Sequence, residues 1–162
     1  MPVRAARPDD AAAIRRVHVA AFERSEEADL VEALKPHIVM SLVSEDEAGE
    51  VVGNVVVSRA HVGETPILAL APLGVLPGHR DAGHGFALVR AAVATARETD
   101  YPVMVVIGRP AYYGKLGFEP ARRLGLKTTF KVPREAWRAV RLPAWDDALK
   151  GTVAYPDAFR AV

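Results

Sequence analysis

Arg80, Gly83 and Gly85 fall within Arg80-Asp81-Ala82-Gly83-His84-Gly85, after the apolar run Ile67 to Leu76 and before a helical pattern that starts at Phe86. A strand that enters a basic, glycine-rich turn and leaves it as a helix gathers backbone N–H groups and the positive end of a helix dipole around one point. Glycine lets the main chain approach a ligand closely, and arginine adds a fixed positive charge. Such a turn suits a phosphate or pyrophosphate, so the sequence predicts a phosphorylated cofactor.

Two common phosphate binders can be compared with it. A nucleotide-hydrolysing loop needs Lys and then Ser or Thr after its last glycine, to reach phosphates and hold Mg²⁺. Gly78 and Gly83 have the right spacing, but His84 and Gly85 occupy those two places. A dinucleotide turn needs three glycines as GxGxxG, and Leu88 stands where the third belongs. Arg109 could mimic a contact to a nicotinamide dinucleotide 2′-phosphate, so this second reading stays open as a runner-up.

The elements that must position this turn follow from periodicity. Val3 to Ala6 is a short first strand, and Pro8-Asp9-Asp10 is a helix-start signal. Ala13, Ile14, Val17, Ala20 and Ala21 recur at helical spacing up to Phe22. Ser25-Glu26-Glu27 caps a second helix that Pro36 ends. Strands are expected at Ile38 to Ser44 and Val51 to Ser58, with a hairpin turn between them, and at Ile67 to Leu76. Pro72 cannot donate a ladder hydrogen bond, which implies a bulge, an edge, or a strand that parts from its neighbour. A helix runs from Phe86 to about Arg97, and the apolar run Val103 to Ile107 reads as a strand buried on both faces. Ala111 to Leu116 is a short helix. Phe130 to Val132, Ala139 to Leu142 and Gly151 to Tyr155 are strand candidates, with a helical turn at Pro133 to Trp137. The order is that of a mixed α/β layer structure.

Composition bounds the function. The 162 residues, half of them hydrophobic, fit one domain spanning 1–162 with a substantial core. Twenty-one Lys and Arg against twenty Asp and Glu leave a formal charge of +1, which is no footprint for nucleic acid or an anionic membrane. No apolar run approaches the roughly 20 residues of a membrane span. The stretch from Met1 lacks the apolar core of a secretory signal, so a cytoplasmic location is expected. There is no cysteine, hence no disulfide, thiolate metal site or cysteine nucleophile, and the five histidines lack metal-ligand spacing. No metal is expected. His18 and His37 read as surface residues and His61 as a loop residue.

A second motif adds to the turn. Arg80-Asp81-Ala82-Gly83-His84-Gly85 fits [Q/R]xxGx[G/A], and Tyr113 precedes Gly117-Phe118 by four residues within Gly108 to Phe118. In these residues the chain resembles the GNAT superfamily of acyl-CoA-dependent N-acetyltransferases. The paired Tyr112 and Tyr113 and the tail Gly151 to Pro156 with Phe159 look similar to its YhbS-like subgroup. The resemblance implies an α/β (α+β, mixed-sheet) GNAT-like acyl-CoA N-acyltransferase fold with a splayed central strand pair. It implies acetyl-CoA as acyl donor and a small-molecule or peptide amine as acceptor, and leaves a homodimer open. Main chain at Leu73 and Val75 would pair with the pantetheine amides. Arg80, Ala82, Gly83, His84, Gly85 and Phe86 would hold the pyrophosphate, largely through backbone N–H groups. Tyr113 would protonate the departing thiolate, a role suited to a phenol whose ordinary pKa is about 10. Glu23, Glu26 and Glu27 lie where the family builds its acceptor site. The strand Ile67 to Val75 contains no carboxylate, although several members place a general-base Glu there.

Plainer readings stand beside these. Arg80 could be a solvated turn residue, Tyr113 a packed aromatic, and the three glutamates helix-start acids. At the level of function, the rivals to an N-acetyltransferase are a catalytically silent coenzyme-A sensor and an NADP-binding oxidoreductase.

Overall fold

The computed structural model describes residues 2–162; Met1, which opens the N-terminal stretch read above, lies outside them. The chain divides into two compact units. The first comprises the residues up to Ser58, Ala71–Ala92 and Asp157–Val162, and the second comprises Arg59–Leu70 and Val93–Pro156. Three elements run through the boundaries as continuous chain: β3 (Val51–Val62), β4 (Thr65–Val75) and α3 (His84–Ala96).

In the first unit, β1 (Val3–Ala5) pairs antiparallel with β2 (Ile38–Glu45), and β2 pairs antiparallel with β3. Their registers include Arg4↔Val43 and Leu42↔Val55. Asp46 closes the β2–β3 hairpin by accepting the amides of Ala48 and Glu50, both at 2.9 Å. A 3₁₀ turn at Pro8–Asp10 leads into α1 (Ala11–Phe22), and α2 (Glu26–Ala33) follows. Asp10 accepts the Arg7 amide at 2.7 Å and two hydrogen bonds from the Arg4 guanidinium, so a buried carboxylate anchors the start of α1. Ser25 takes the N-cap position of α2 with no side-chain cap bond, contrary to the capping role expected for its hydroxyl. Ile14 and Val17 of α1 pack on Val43 and Val51.

In the second unit, β4 pairs in parallel with β5 (Val103–Ile107) through Leu68↔Met104 and Ala69↔Val105. The pairing stops there, whereas β4 continues to Val75. The burial pattern changes at the same place: Ile67 to Leu70 are all buried, and from Ala71 to Val75 burial alternates. A strand covered on both faces has become one with a single packed face. α4 (Pro110–Tyr113), β6 (Glu119–Pro120) and β7 (Leu126–Lys127) precede β8 (Trp137–Arg141) and β9 (Gly151–Ala154). β8 pairs antiparallel with β5 and β6, while β9 pairs with the far end of β3 and with β7. Trp137 is fully buried among Ile67, Ala69, Val103 and Val105, and its indole N–H donates to the Leu126 carbonyl at 3.0 Å.

Several expectations need correction. Phe130 to Val132 is not a strand; Phe130 packs edge-on against Tyr155, and the strand in this region is β7. β3 extends to Val62 and turns into β4 at Gly63-Glu64, so His61 is a strand residue and not a loop residue. α3 begins at His84, two residues before the expected start. His18 is fully buried and not on the surface.

Candidate cofactor and catalytic site

The glycine turn is built by backbone constraint. Leu76 N donates to Val52 O at 2.9 Å as β4 ends, and a 3₁₀ turn at Pro77–His79 follows. Asp81 then adopts φ +63° and Gly83 φ +92°, with α3 starting at His84. Aspartate tolerates the left-handed region better than most residues, and glycine enters it without steric penalty. Two left-handed residues just before a helix curl the main chain around the helix N-terminus, where first-turn amides such as those of His84 and Gly85 have no acceptor within the helix. Ala82 and Gly83 are exposed, Gly85 and Phe86 are half-buried, and Leu73 and Val75 lie half-buried on β4.

Arg80 has a defined structural partner. Its Nη2 donates to the Ala21 carbonyl oxygen at 2.7 Å, in the last turn of α1. A cation there complements the negative end of that helix dipole. His84, expected to contribute mainly its amide, also buries its ring, which meets His79 edge-on with centroids 6.0 Å apart. Burial, then the neighbouring His79, pushes the His84 pKa down from its ordinary value. A cleft of about 880 Å³ opens beside the turn, lined by Pro2, Asp46, Glu47, His79, Ala82 and His84.

The three glutamates end up in different places. Glu23 closes α1 with φ +56° and is exposed. Glu26 is exposed 3.5 Å from Arg24. Glu27 turns inward and is clasped by Arg24, whose Nε donates to Oε1 at 2.8 Å while Nη2 donates to Oε2. The guanidinium holds the Glu27 carboxyl below the usual carboxylate range. An ionised, paired carboxylate is a weak base, so Glu27 supplies negative charge to this region more readily than proton abstraction.

Sequence reasoning missed a polar pair between α1 and β3. Nε2 of His18 lies 2.8 Å from Oδ1 of Asn54 on β3. Nδ2 of Asn54 donates to the Leu42 carbonyl at 2.8 Å and to the Ser41 hydroxyl at 3.0 Å. The other imidazole nitrogen faces Gly74 on β4: a Cβ at Gly74 would come within 2.8 Å of His18 Nδ1. The available signal was spacing, because Ile14, Val17, His18 and Ala21 form an i, i+3, i+4, i+7 stripe.

Tyr113 belongs to the second unit. It ends α4 with 8% exposure, edge-on to Tyr112 at 4.9 Å and to Phe118 at 5.5 Å. Gly108 makes room for the ring, since a Cβ there would fall 2.1 Å from Cε2 of Tyr113. Burial, with Tyr112 adding to it, raises the Tyr113 pKa above its ordinary value and keeps the phenol protonated at neutral pH. Among the described residues no group of three or more His, Cys, Asp or Glu is placed to hold a metal ion, and no helix is long and apolar enough to cross a membrane.

Comparison with known proteins fits this geometry. The profile of the Acetyltransferase (GNAT) family matches residues 9–118, more than half of the chain. The uncharacterized N-acetyltransferase YjhQ of Escherichia coli K12 is 34% identical over 160 residues, covering 91% of this chain and 88% of YjhQ. The uncharacterized N-acetyltransferase YhbS of the same strain is 32% identical over 155 residues, covering 93% and 92%. The crystal structure of E. coli YhbS in complex with CoA superimposes with a TM-score of 0.89 at 31% identity, covering 98% of this chain and 91% of that one. A GNAT acetyltransferase from Brucella melitensis in complex with acetyl-CoA gives a TM-score of 0.81 at 29% identity, covering 98% and 97%. With its mixed α/β architecture and its glycine turn at the start of α3, this chain belongs to the GNAT family of acetyltransferases.

Proposed function

We propose that residues 1–162 act as one domain that transfers the acetyl group of acetyl-CoA to a primary amine, by direct attack in a ternary complex. The observation that carries the reading is the turn in which Asp81 and Gly83 take positive φ and α3 begins at His84. A turn of this kind offers helix-start amides and a positive dipole end to a pyrophosphate. The complexes of E. coli YhbS with CoA and of the Brucella protein with acetyl-CoA support the same ligand.

In this reading the half-buried main chain at Leu73 and Val75 pairs with the pantetheine amides. The segment Arg80 to Phe86 takes the pyrophosphate. Acetyl-CoA supplies the activated carbonyl, and the absence of cysteine favours attack by the amine itself. Tyr113, kept protonated by burial, donates to the thiolate. Glu23, Glu26 and Glu27 give the α1–α2 connection a negative character that draws an amine, with Arg24 tempering the last two.

A ligand that binds only the folded state stabilises it by about 2.7 kcal/mol at one hundred times its dissociation constant. CoA and acetyl-CoA are expected to raise Tm without Mg²⁺, and acetyl-CoA with a panel of primary amines is expected to release free thiol. Stabilisation by NADP and not by CoA would overturn the reading. Binding of CoA with no thiol release from any amine would favour the sensor.

A further inference from the structure

The transfer proposed above leaves one proton without an acceptor: the attacking nitrogen must lose it, and β4 carries no carboxylate from Thr65 to Val75. The His18–Asn54 pair lies beside that strand. The carbonyl oxygen of Leu42 can only accept, so the Asn54 atom 2.8 Å from it is the amide nitrogen. Oδ1 of Asn54 therefore faces His18 and must receive a proton from Nε2. Burial pushes the His18 pKa down and keeps the ring neutral, against the opposing pull of Asn54 and the Glu27 charge. A neutral ring with its proton on Nε2 has a bare lone pair on Nδ1. Among the described residues that atom has no hydrogen-bond partner, although His18 is completely buried.

The lone pair is aimed at β4. Gly74 sits between Leu73 and Val75, and its missing side chain leaves Nδ1 against the main chain of that strand. Phe22 stacks on the ring, 6.1 Å between centroids and 19° from parallel, and is itself exposed. Buried polar atoms without a partner are rare and call for an explanation such as catalysis or a bound water. Among the described residues, Glu27 from α2, itself held by Arg24, places a charge near the ring, while β3 offers Asn54 and β4 offers Gly74.

We propose that Nδ1 of His18 is the proton acceptor for the incoming amine, acting through one water at the Gly74 face of β4, with Asn54 fixing the tautomer. This deepens the acetyltransferase reading and rests on it. The amine nitrogen attacks the thioester carbonyl and a C–N bond forms. The nitrogen passes one proton to Nδ1. The C–S bond then breaks, and the sulfur takes its proton from Tyr113. The proton on His18 leaves through solvent as Tyr113 is reprotonated, so the products are an amide and a free thiol.

His18→Gln keeps an N–H that can donate to Asn54 and removes the base. It is expected to bind CoA like the parent and to lose about 10²-fold or more in the rate of thiol release. The acidic limb of the parent's pH–rate profile should disappear with it. His18→Ala leaves a ring-sized space, and added imidazole should restore part of its rate. Nitrogen-15 spectra of the parent imidazole should show Nε2 protonated and Nδ1 bare. A His18→Gln variant with the parent's rate and pH profile, or a protonated Nδ1 in the neutral ring, would overturn the assignment and leave the acetyltransferase reading intact. A parent that fails to bind CoA overturns both, and is recognised before any variant is made.

Discussion

The guanidinium of Arg80 donates to the carbonyl oxygen of Ala21 across 2.7 Å, so one side chain of the glycine turn also closes the last turn of α1. The turn's cation is thus partly committed before any ligand arrives. Arg80→Ala should lower the stability of the ligand-free protein as well as its affinity for CoA. The contact is exposed, so a loss of about 1 kcal/mol is expected, a fall of roughly 2–4 °C in Tm for a chain of this size. Thermal unfolding without ligand, followed by CoA titration, checks both parts. An unchanged ligand-free Tm would show that the bond to Ala21 contributes nothing.

Gly83 and Gly85 should respond differently to the same substitution. Gly83 has φ +92°, where a β-branched residue is strained, so Gly83→Val should cost the fold about 1–3 kcal/mol. Gly85 lies inside the first turn of α3, where glycine is itself a poor helix former. Gly85→Val should leave Tm nearly unchanged and weaken CoA binding by placing a branched side chain over the first-turn amides. If Gly85→Val binds CoA as the parent does, the pyrophosphate does not sit on that turn.

The glycine turn was legible because its chemistry is local: apolar strand, basic residue, paired glycines and helix follow one another within a short stretch of chain. The strand register was not local, and Phe130 to Val132 shows why. Its β-prone residues find no ladder partner, and Phe130 spends its apolar surface on Tyr155 instead. The two-residue turn Gly63-Glu64 was hidden because Ser58, Arg59 and His61 break the apolar run of a strand that continues to Val62. His18 was missed for a different reason. It lies on the same stripe as Ile14 and Val17, yet a histidine in a helix reads as polar until its partner is known. That partner, Asn54, stands 36 residues away on β3. Glu27 likewise reads as a helix-start acid until Arg24 folds back onto it.

The Arg4–Asp10 pair gives a pH-dependent part of the stability. The Arg4 guanidinium, aided by the Arg7 amide, holds the Asp10 pKa down to about 2 from 3.8. In that interval the unfolded chain binds the proton more readily than the folded one. The pair's contribution is therefore complete above about pH 4 and is lost as the pH falls toward about 2. His18 acts in the same direction at higher pH. Its pKa is depressed by burial, so stability declines as the pH falls below its ordinary value of 6.5. Arg4→Gln should lower Tm at neutral pH and flatten the pH dependence below about pH 4, leaving the limb that starts near pH 6.5. A parallel downward shift at every pH would mean that Arg4 supports the fold without acting through Asp10.

Tyr113 and Gly108 form the sharpest test of the proposed proton donor, because one substitution moves the ring and another removes only its hydroxyl. Gly108→Ala would place a methyl group 2.1 Å from Cε2 of Tyr113, a distance no packed structure tolerates. The ring must shift from its contacts with Tyr112 and Phe118, at a cost of about 1–3 kcal/mol in stability as well as a loss of turnover. Tyr113→Phe keeps the ring and its edge-on contacts, so Tm and CoA affinity should stay close to the parent's. A general acid contributes about 10²–10⁴-fold, and that loss should fall on kcat. Tyr112→Phe serves as the control, since its spacing to Gly117-Phe118 is off by one. Burial raises the Tyr113 pKa, so the parent should show no alkaline loss of rate attributable to this phenol up to about pH 10. Measured thiol release for the three variants across pH decides the matter. A Tyr113→Phe rate equal to the parent's, with chemistry limiting, removes the hydroxyl from the mechanism and leaves the ring a packed aromatic that Gly108 exists to accommodate.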